Sequence, residues 1–225
     1  MTPLVIVGCG GFGREVHDVV DAINTAHAGK SAHPGDPVRA VAAPSWELLG
    51  YVDDSPSQRN LELVDRRGAR VLGGLDALEK LPRDVAYVIG IGSPRIKARI
   101  DARLGDRPAA VLLHPTVSTG FDVRFGPGSV VCAGAVLTTN IRLGRHVHIN
   151  LLCSIGHDVT LGDHVSINPL VAVSGDVDIE DRVMLGTHSA ILQTLRVGAD
   201  ATVGGAALVV KDVPAGTVVK GVPAR

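Results

Sequence analysis

The residues able to do chemistry in this 225-residue chain crowd into one stretch, Asn140 to Gly175, and they recur at intervals of 18. His146 and His164 form one such pair, His148 and Ser166 a second, Asn150 and Asn168 a third, and His157 stands 18 residues before Gly175. Asp158 follows His157 directly. Imidazole ionises near neutral pH, so a histidine here could take the proton that an amine or hydroxyl sheds as it attacks a carbonyl. A second group lies near the N-terminus, where Gly8-Cys9-Gly10-Gly11-Phe12-Gly13 spells G-x-G-x-x-G. Glycines there allow close backbone approach, and the start of a following helix offers free N–H groups to a phosphate. The same turn would also serve simply to pack a helix on a sheet.

The interval of 18 has a structural cause. From Leu113 to Val209 every sixth residue is apolar except Thr119: Leu137, Leu143, Ile149, Ile155, Leu161, Ile167 and Val173 are the middle of the series. Four residues after each comes a smaller position, as at Ala135, Val147, Cys153, Val159 and Ala201. Neither a helix nor a simple strand alternation has this period, whereas a parallel β-helix does. Each hexad makes a short strand and a corner, three hexads close a triangular coil, and residues 18 apart stack. On this reading His146 and His164 stack on a solvent-facing surface. Cys153 occupies an interior position and is a structural thiol rather than an acyl carrier.

Ahead of the repeat the pattern is α/β. Pro3 to Val7 reads as a strand entering the glycine turn, followed by a helix with Val16, Val19, Val20 and Ile23 on one face. Asn24 to Glu47 reads as a Gly/Pro/Ala-rich insertion, and Leu48 to Val52 as a second strand ending in Asp53-Asp54. One further unit follows, a strand Val85 to Ile91 and a helix capped by Ser93 with Pro94 at its first position. This is half of a dinucleotide-binding fold. It suits a nucleotide sugar at the strand ends, held at Gly8, Gly10, Gly11 and Gly13, with Asp53 or Asp54 accepting hydrogen bonds. The expected division is a half-Rossmann α/β domain over 1–112 and a β-helix over 113–225.

Composition narrows the partners. With 22 basic and 23 acidic residues interspersed, no basic face points to nucleic acid. Cys9, Cys132 and Cys153 form no paired framework, and no apolar run is long enough for a membrane span. A cytoplasmic protein is expected.

Taken in order, IVGCGGFGREV, YVDD, IGIGSPRIKARI, LLHPTV, INLLCSIGHD, SGDV and KGVPAR resemble the bacterial sugar O-acyltransferases of the sialic acid O-acetyltransferase type. That family includes nucleotide-sugar N-acetyltransferases such as the bacillosamine-pathway enzyme. The resemblance implies a left-handed β-helix, a homotrimer with active sites between adjacent β-helices, and acetyl-CoA as acyl donor. It makes His157 the general base, Asp158 the carboxylate that orients it, and Gly175 the backbone N–H that meets the oxyanion. Gly175, Thr187 and Gly205 would line the pantetheine groove, and Lys211, with Lys220 and Arg225, would lie near the CoA phosphates. Asn150 and Ser166 are expected substrate contacts. Several relatives carry a second histidine where this chain has Ser166, and His148 or His164 is the candidate to replace it.

The acceptor is expected to be the amine of a nucleotide-linked amino sugar, with a sugar hydroxyl as the alternative. Two readings of other classes stand beside it. One is a γ-carbonic-anhydrase-like hydratase, with His146, His157 and His164 supplying imidazoles for a metal. The other is a nucleotide-sugar-binding protein without catalysis.

Overall fold

A computed structural model describes residues 1–28 and 45–225. The hexad repeat folds as a left-handed parallel β-helix with three walls of seven, six and five stacked strands. Nearly every strand is two residues long, the first side chain pointing out and the second in, which is why the large apolar position recurs every six residues. The inward residues form one continuous core from Leu113 to Val213. The first wall stacks His148 between Val130 and Ser166; the second stacks Ser154 between Val136 and Ala172; the third stacks Thr160 between Arg142 and Asp178.

Each corner turns through a residue with left-handed backbone. Asn140, His146, Leu152, Asp158, His164, Leu170 and Asp176 all have φ between 50° and 63°, six residues apart. Such a conformation disfavours residues other than glycine, asparagine and aspartate. It persists because the corner N–H bonds to the coil below, as in Asp158 N–H to Thr139 O at 3.0 Å and Asp176 N–H to His157 O at 2.8 Å. The chain from 214 onward closes the last coil. Val218–Val219 pairs with Thr202–Val203, and Ala224 packs on the core.

The N-terminal part is a three-stranded parallel sheet, β1 (Thr2–Val7), β2 (Trp46–Val52) and β3 (Ala86–Ile89), in the order β2-β1-β3. Helix α1 (Gly11–Ala28) buries Val16, Val19, Val20 and Ile23, as the spacing requires. The inferred insertion is shorter than expected: α1 continues to Ala28 and β2 begins at Trp46, while 29–44 lie outside the described residues. Asn24 joins its two ends, donating from Nδ2 to Trp46 O at 2.9 Å and accepting from Trp46 N–H at 2.8 Å. Two short helices, α2 (Gln58–Asp65) and α3 (Leu75–Glu79), stand between β2 and β3. Their apolar signal is weak, since α2 buries only Val64 and α3 only Leu75 and Leu78.

Helix α4 (Pro94–Leu104), which begins where Ser93-Pro94 predicts, joins the two parts. Lys97 and Asp101 reach from it to the corner between the third and first walls. The carboxylate of Asp101 accepts from Tyr87 OH at 3.1 Å, Arg145 Nη2 at 2.6 Å, His146 Nε2 at 3.0 Å and His164 Nε2 at 3.0 Å. Lys97 Nζ donates to the carbonyls of His146 at 2.8 Å and Val165 at 2.9 Å. The histidine pair does stack, with ring centroids 5.8 Å apart, but it does not face solvent: His146 is fully buried beneath α4. Spacing placed the two rings together and could not show what covers them.

That burial carries a pH dependence. Removal from water lowers the His146 pKa from 6.5 to about 4, against the pull of Asp101. Between those values the unfolded chain binds the extra proton, so stability is complete above pH 6.5 and declines as pH falls toward 4. One such site contributes on the order of 3 kcal/mol across that window. The thermal midpoint should fall steadily through it, and His146→Gln should begin lower at pH 7 but show a flatter slope; an unchanged slope would refute the assignment.

Candidate active site

His157 and Asp158 sit at the corner between the second and third walls. The imidazole Nδ1 lies 2.8 Å from Asp158 Oδ2, so a proton on Nδ1 is donated to the carboxylate and Nε2 is left with its lone pair free. The other oxygen, Asp158 Oδ1, accepts from Asn140 Nδ2 at 3.0 Å, from the coil below. Asn140's hydrogen bond, and after it that of His157, hold the Asp158 carboxyl below its ordinary range. On the next coil the ring lies over Gly175, where an added Cβ would fall 2.3 Å from His157 Nε2. Gly175 is therefore glycine because the imidazole occupies the side-chain space. Its N–H donates to no acceptor among the described residues. The His157 side chain is 61% exposed.

The surroundings of this corner differ from wall to wall. The first wall is covered by the α/β domain over its early coils: Phe12 lies on His148 with ring centroids 4.9 Å apart, and α1 packs among Leu112, Val130 and Cys132. The third wall carries Arg142, Thr160, Asp178 and Arg196 to solvent. The second is a row of Val136, Ser154, Ala172 and Ala190 pointing outward. His157 stands along one edge of that row. Along the other edge lie Leu152, 61% exposed, and Leu170, 43% exposed, one coil apart. This wall thus presents small side chains to solvent beside two exposed leucines stacked one coil apart.

At the other end of the molecule the glycines divide into two kinds. A Cβ on Gly13 would fall 1.9 Å from Gly8 O, and Gly8 has φ +98° with Ile91 against it, so these two serve helix-on-sheet packing. Around Gly10 and Gly11 there is open space. The first-turn N–H groups of α1, at Gly11, Phe12 and Gly13, precede the first carbonyls of the helix and so have no partner within it. Asp53 accepts from Cys9 N–H at 2.9 Å and from Ser55 N–H at 3.0 Å, which holds the glycine turn in place. Asp54 Oδ1 accepts from Leu75 N–H at 2.7 Å, at the start of α3, and its second oxygen is left for other donors. Both acids border a cleft of about 430 Å³ at the strand ends, bounded also by Ile96, Ile100 and Arg99.

The remaining residues singled out by sequence do not converge on one spot of a single chain. Ser166 is 3% exposed on the first wall under the α/β domain, and its hydroxyl has no partner among the described residues; His148 beneath it is likewise buried. Asn150 turns its Oδ1 to Leu151 N–H at the corner between the first and second walls. Thr187 and Gly205 occupy that same corner on higher coils and are exposed. Lys211 is exposed beyond the last of them. Cys153 Sγ points at Asn168 O at 3.1 Å, and burial raises its pKa, which suits a structural thiol. His146 and His164 lie at a different corner from His157, and among the described residues no group of three His, Cys, Asp or Glu side chains is placed to hold a metal. Asn140 completes the site from the coil below; its spacing of 18 from Asp158 is visible in the sequence, with no role attached to it there.

No family model and no curated relative matches this chain. Solved structures do, from end to end. The acetyltransferase domain of PglB from Neisseria gonorrhoeae is 27% identical over 100% of this chain and 99% of that one, with a TM-score of 0.79. WeeI from Acinetobacter baumannii is 27% identical over 100% and 99%, with a TM-score of 0.80. PerB from Caulobacter crescentus, solved with CoA and GDP-perosamine, is 25% identical over 99% and 96%, with a TM-score of 0.80.

Proposed function

We infer that this chain, a hexapeptide-repeat sugar acyltransferase of the type that the sequence motifs resemble, transfers the acetyl group of acetyl-CoA to the amine of a nucleotide-linked amino sugar. The observation that carries the reading is the imidazole of His157, braced by Asp158 and lying over the backbone of Gly175, in a chain that aligns along its length with the acetyltransferase domain of PglB and with PerB. The perosamine N-acetyltransferase neighbour has an amino sugar on a nucleotide as its ligand, which favours an amine over a hydroxyl acceptor.

In the proposed reaction the free amine attacks the thioester carbonyl while His157 Nε2 takes its proton. The carbonyl oxygen gains negative charge and is met by the Gly175 N–H, a donor already in place and spent on nothing else. Collapse of the tetrahedral species expels the CoA thiolate, which recovers the proton from the imidazolium. Asp158 keeps the ring in the tautomer with Nε2 unprotonated and stabilises the imidazolium formed midway. Transfer is direct, since Cys153, the thiol nearest His157 in the sequence, is buried.

A site this open needs a second wall, and the row of Ser154, Ala172 and Ala190 beside Leu152 and Leu170 is where another copy would pack. The proposed assembly is a homotrimer, each seam joining the His157 edge of one copy to the leucine edge of the next. Pantetheine in that seam would meet Gly175 of one copy and Thr187 and Gly205 of its neighbour, with Lys211 toward the CoA phosphates. The sugar nucleotide would sit in the α/β cleft, its diphosphate at Gly10 and Gly11 and Asp54 accepting from the ligand.

Incubation with acetyl-CoA and GDP-, UDP-, dTDP- and CMP-linked amino sugars tests this directly. One nucleotide class should release free CoA thiol mole for mole with N-acetylated product, identified by mass. Thioester left intact with every amino sugar would overturn the proposal in favour of a binding protein.

A further inference from the structure

We propose that Asn140 is a positioning residue for the His157–Asp158 pair, acting from the coil below. The inference rests on His157 serving as the base. Asn140 and Asp158 occupy the same corner of successive coils, with φ of 57° and 59°. Their backbones are fixed alike, Asn140 N–H to Phe121 O at 2.9 Å and Asp158 N–H to Thr139 O at 3.0 Å. The side chains then share one carboxylate: Asn140 Nδ2 donates to Oδ1 and His157 Nδ1 to Oδ2.

The physical need for the first bond follows from the second. Rotation of a carboxylate about its last bond is soft and nearly two-fold, so one hydrogen bond at a half-exposed aspartate leaves the group free to swing. A donor on the far oxygen removes that freedom and leaves a single oxygen facing the imidazole. The ring is then held with Nδ1–H toward Asp158 and Nε2 over Gly175, the only orientation that serves both base and oxyanion donor. The amide faces the carboxylate with its nitrogen because only that end can donate.

Asparagine is also a good left-handed corner residue, so a purely conformational role must be separated from this one. Asn140→Gly does so, because glycine meets the backbone requirement at least as well and removes the amide. In the acetyl-transfer assay its kcat should fall about tenfold, the equivalent of one well-placed hydrogen bond to a charged group, with KM for both substrates unchanged. In an Asp158→Ala background the same substitution should cost nothing further. Turnover of Asn140→Gly within twofold of the parent, or a full loss that persists in the Asp158→Ala background, would overturn the role. Failure of the underlying reading shows separately, as turnover retained in His157→Ala, and it would take the Asn140 role with it.

Discussion

His157→Ala should lose between about a hundredfold and ten-thousandfold in kcat, the range over which a positioned general base contributes. The fold gives little reason for any other loss. The side chain is exposed, its contacts are with Asp158 and the backbone at Gly175, and its own corner is held through the main chain by Asp176 N–H to His157 O. Thermal midpoint, oligomeric state by light scattering and CoA affinity by calorimetry should therefore stay near those of the parent. Turnover retained within a few-fold would remove the base from the mechanism and leave only the β-helix. The variant should fail with any acceptor nucleotide, because the proton it handles belongs to the amine and not to the handle that carries it.

Gly175→Ala should be nearly as damaging, by a different route. Its backbone is outside the left-handed region, so alanine fits the main chain without strain. The new methyl group would nonetheless fall 2.3 Å from Nε2 and 2.4 Å from Cε1 of His157. The imidazole, open to solvent on its other side, must swing away, and the methyl then occupies the approach to the Gly175 N–H. Base and oxyanion donor are lost together, and a fall in kcat of roughly a hundredfold to a thousandfold is expected, as for removal of an oxyanion donor elsewhere. Thermal midpoint should move little, because the ring can leave into water. A Gly175→Ala enzyme with parental kcat would mean that the imidazole does not work over this residue. Combined with His157→Ala it should add little, since both act on one step.

Much of this architecture is legible in the sequence. A period of six has few structural solutions, and the inward ladder from Leu137 to Val209 is buried as the phase requires. The pairing of His157 with Gly175 came from the same arithmetic, since a β-helix converts a spacing of 18 into contact. Helix α4 was announced by Ser93-Pro94, and α1 by its apolar face. The short helices α2 and α3 left no comparable trace, because too few of their residues are buried to set a period.

The hexad beat, then, determined by itself which residues point inward, which stack, and which corner carries the imidazole, because each follows from repeat geometry within one chain. What lies against each wall was decided by tertiary structure. The stack of His146 and His164 is interior because α4 brings Asp101 down on it, and Ser166 is closed off because the α/β domain covers its wall. Asn140 joined the site only when side-chain torsions aimed its amide at Asp158. Periodicity specifies positions along an axis and faces around it. Contacts between segments far apart in the chain, and the rotamers they select, depend on packing that no local spacing encodes.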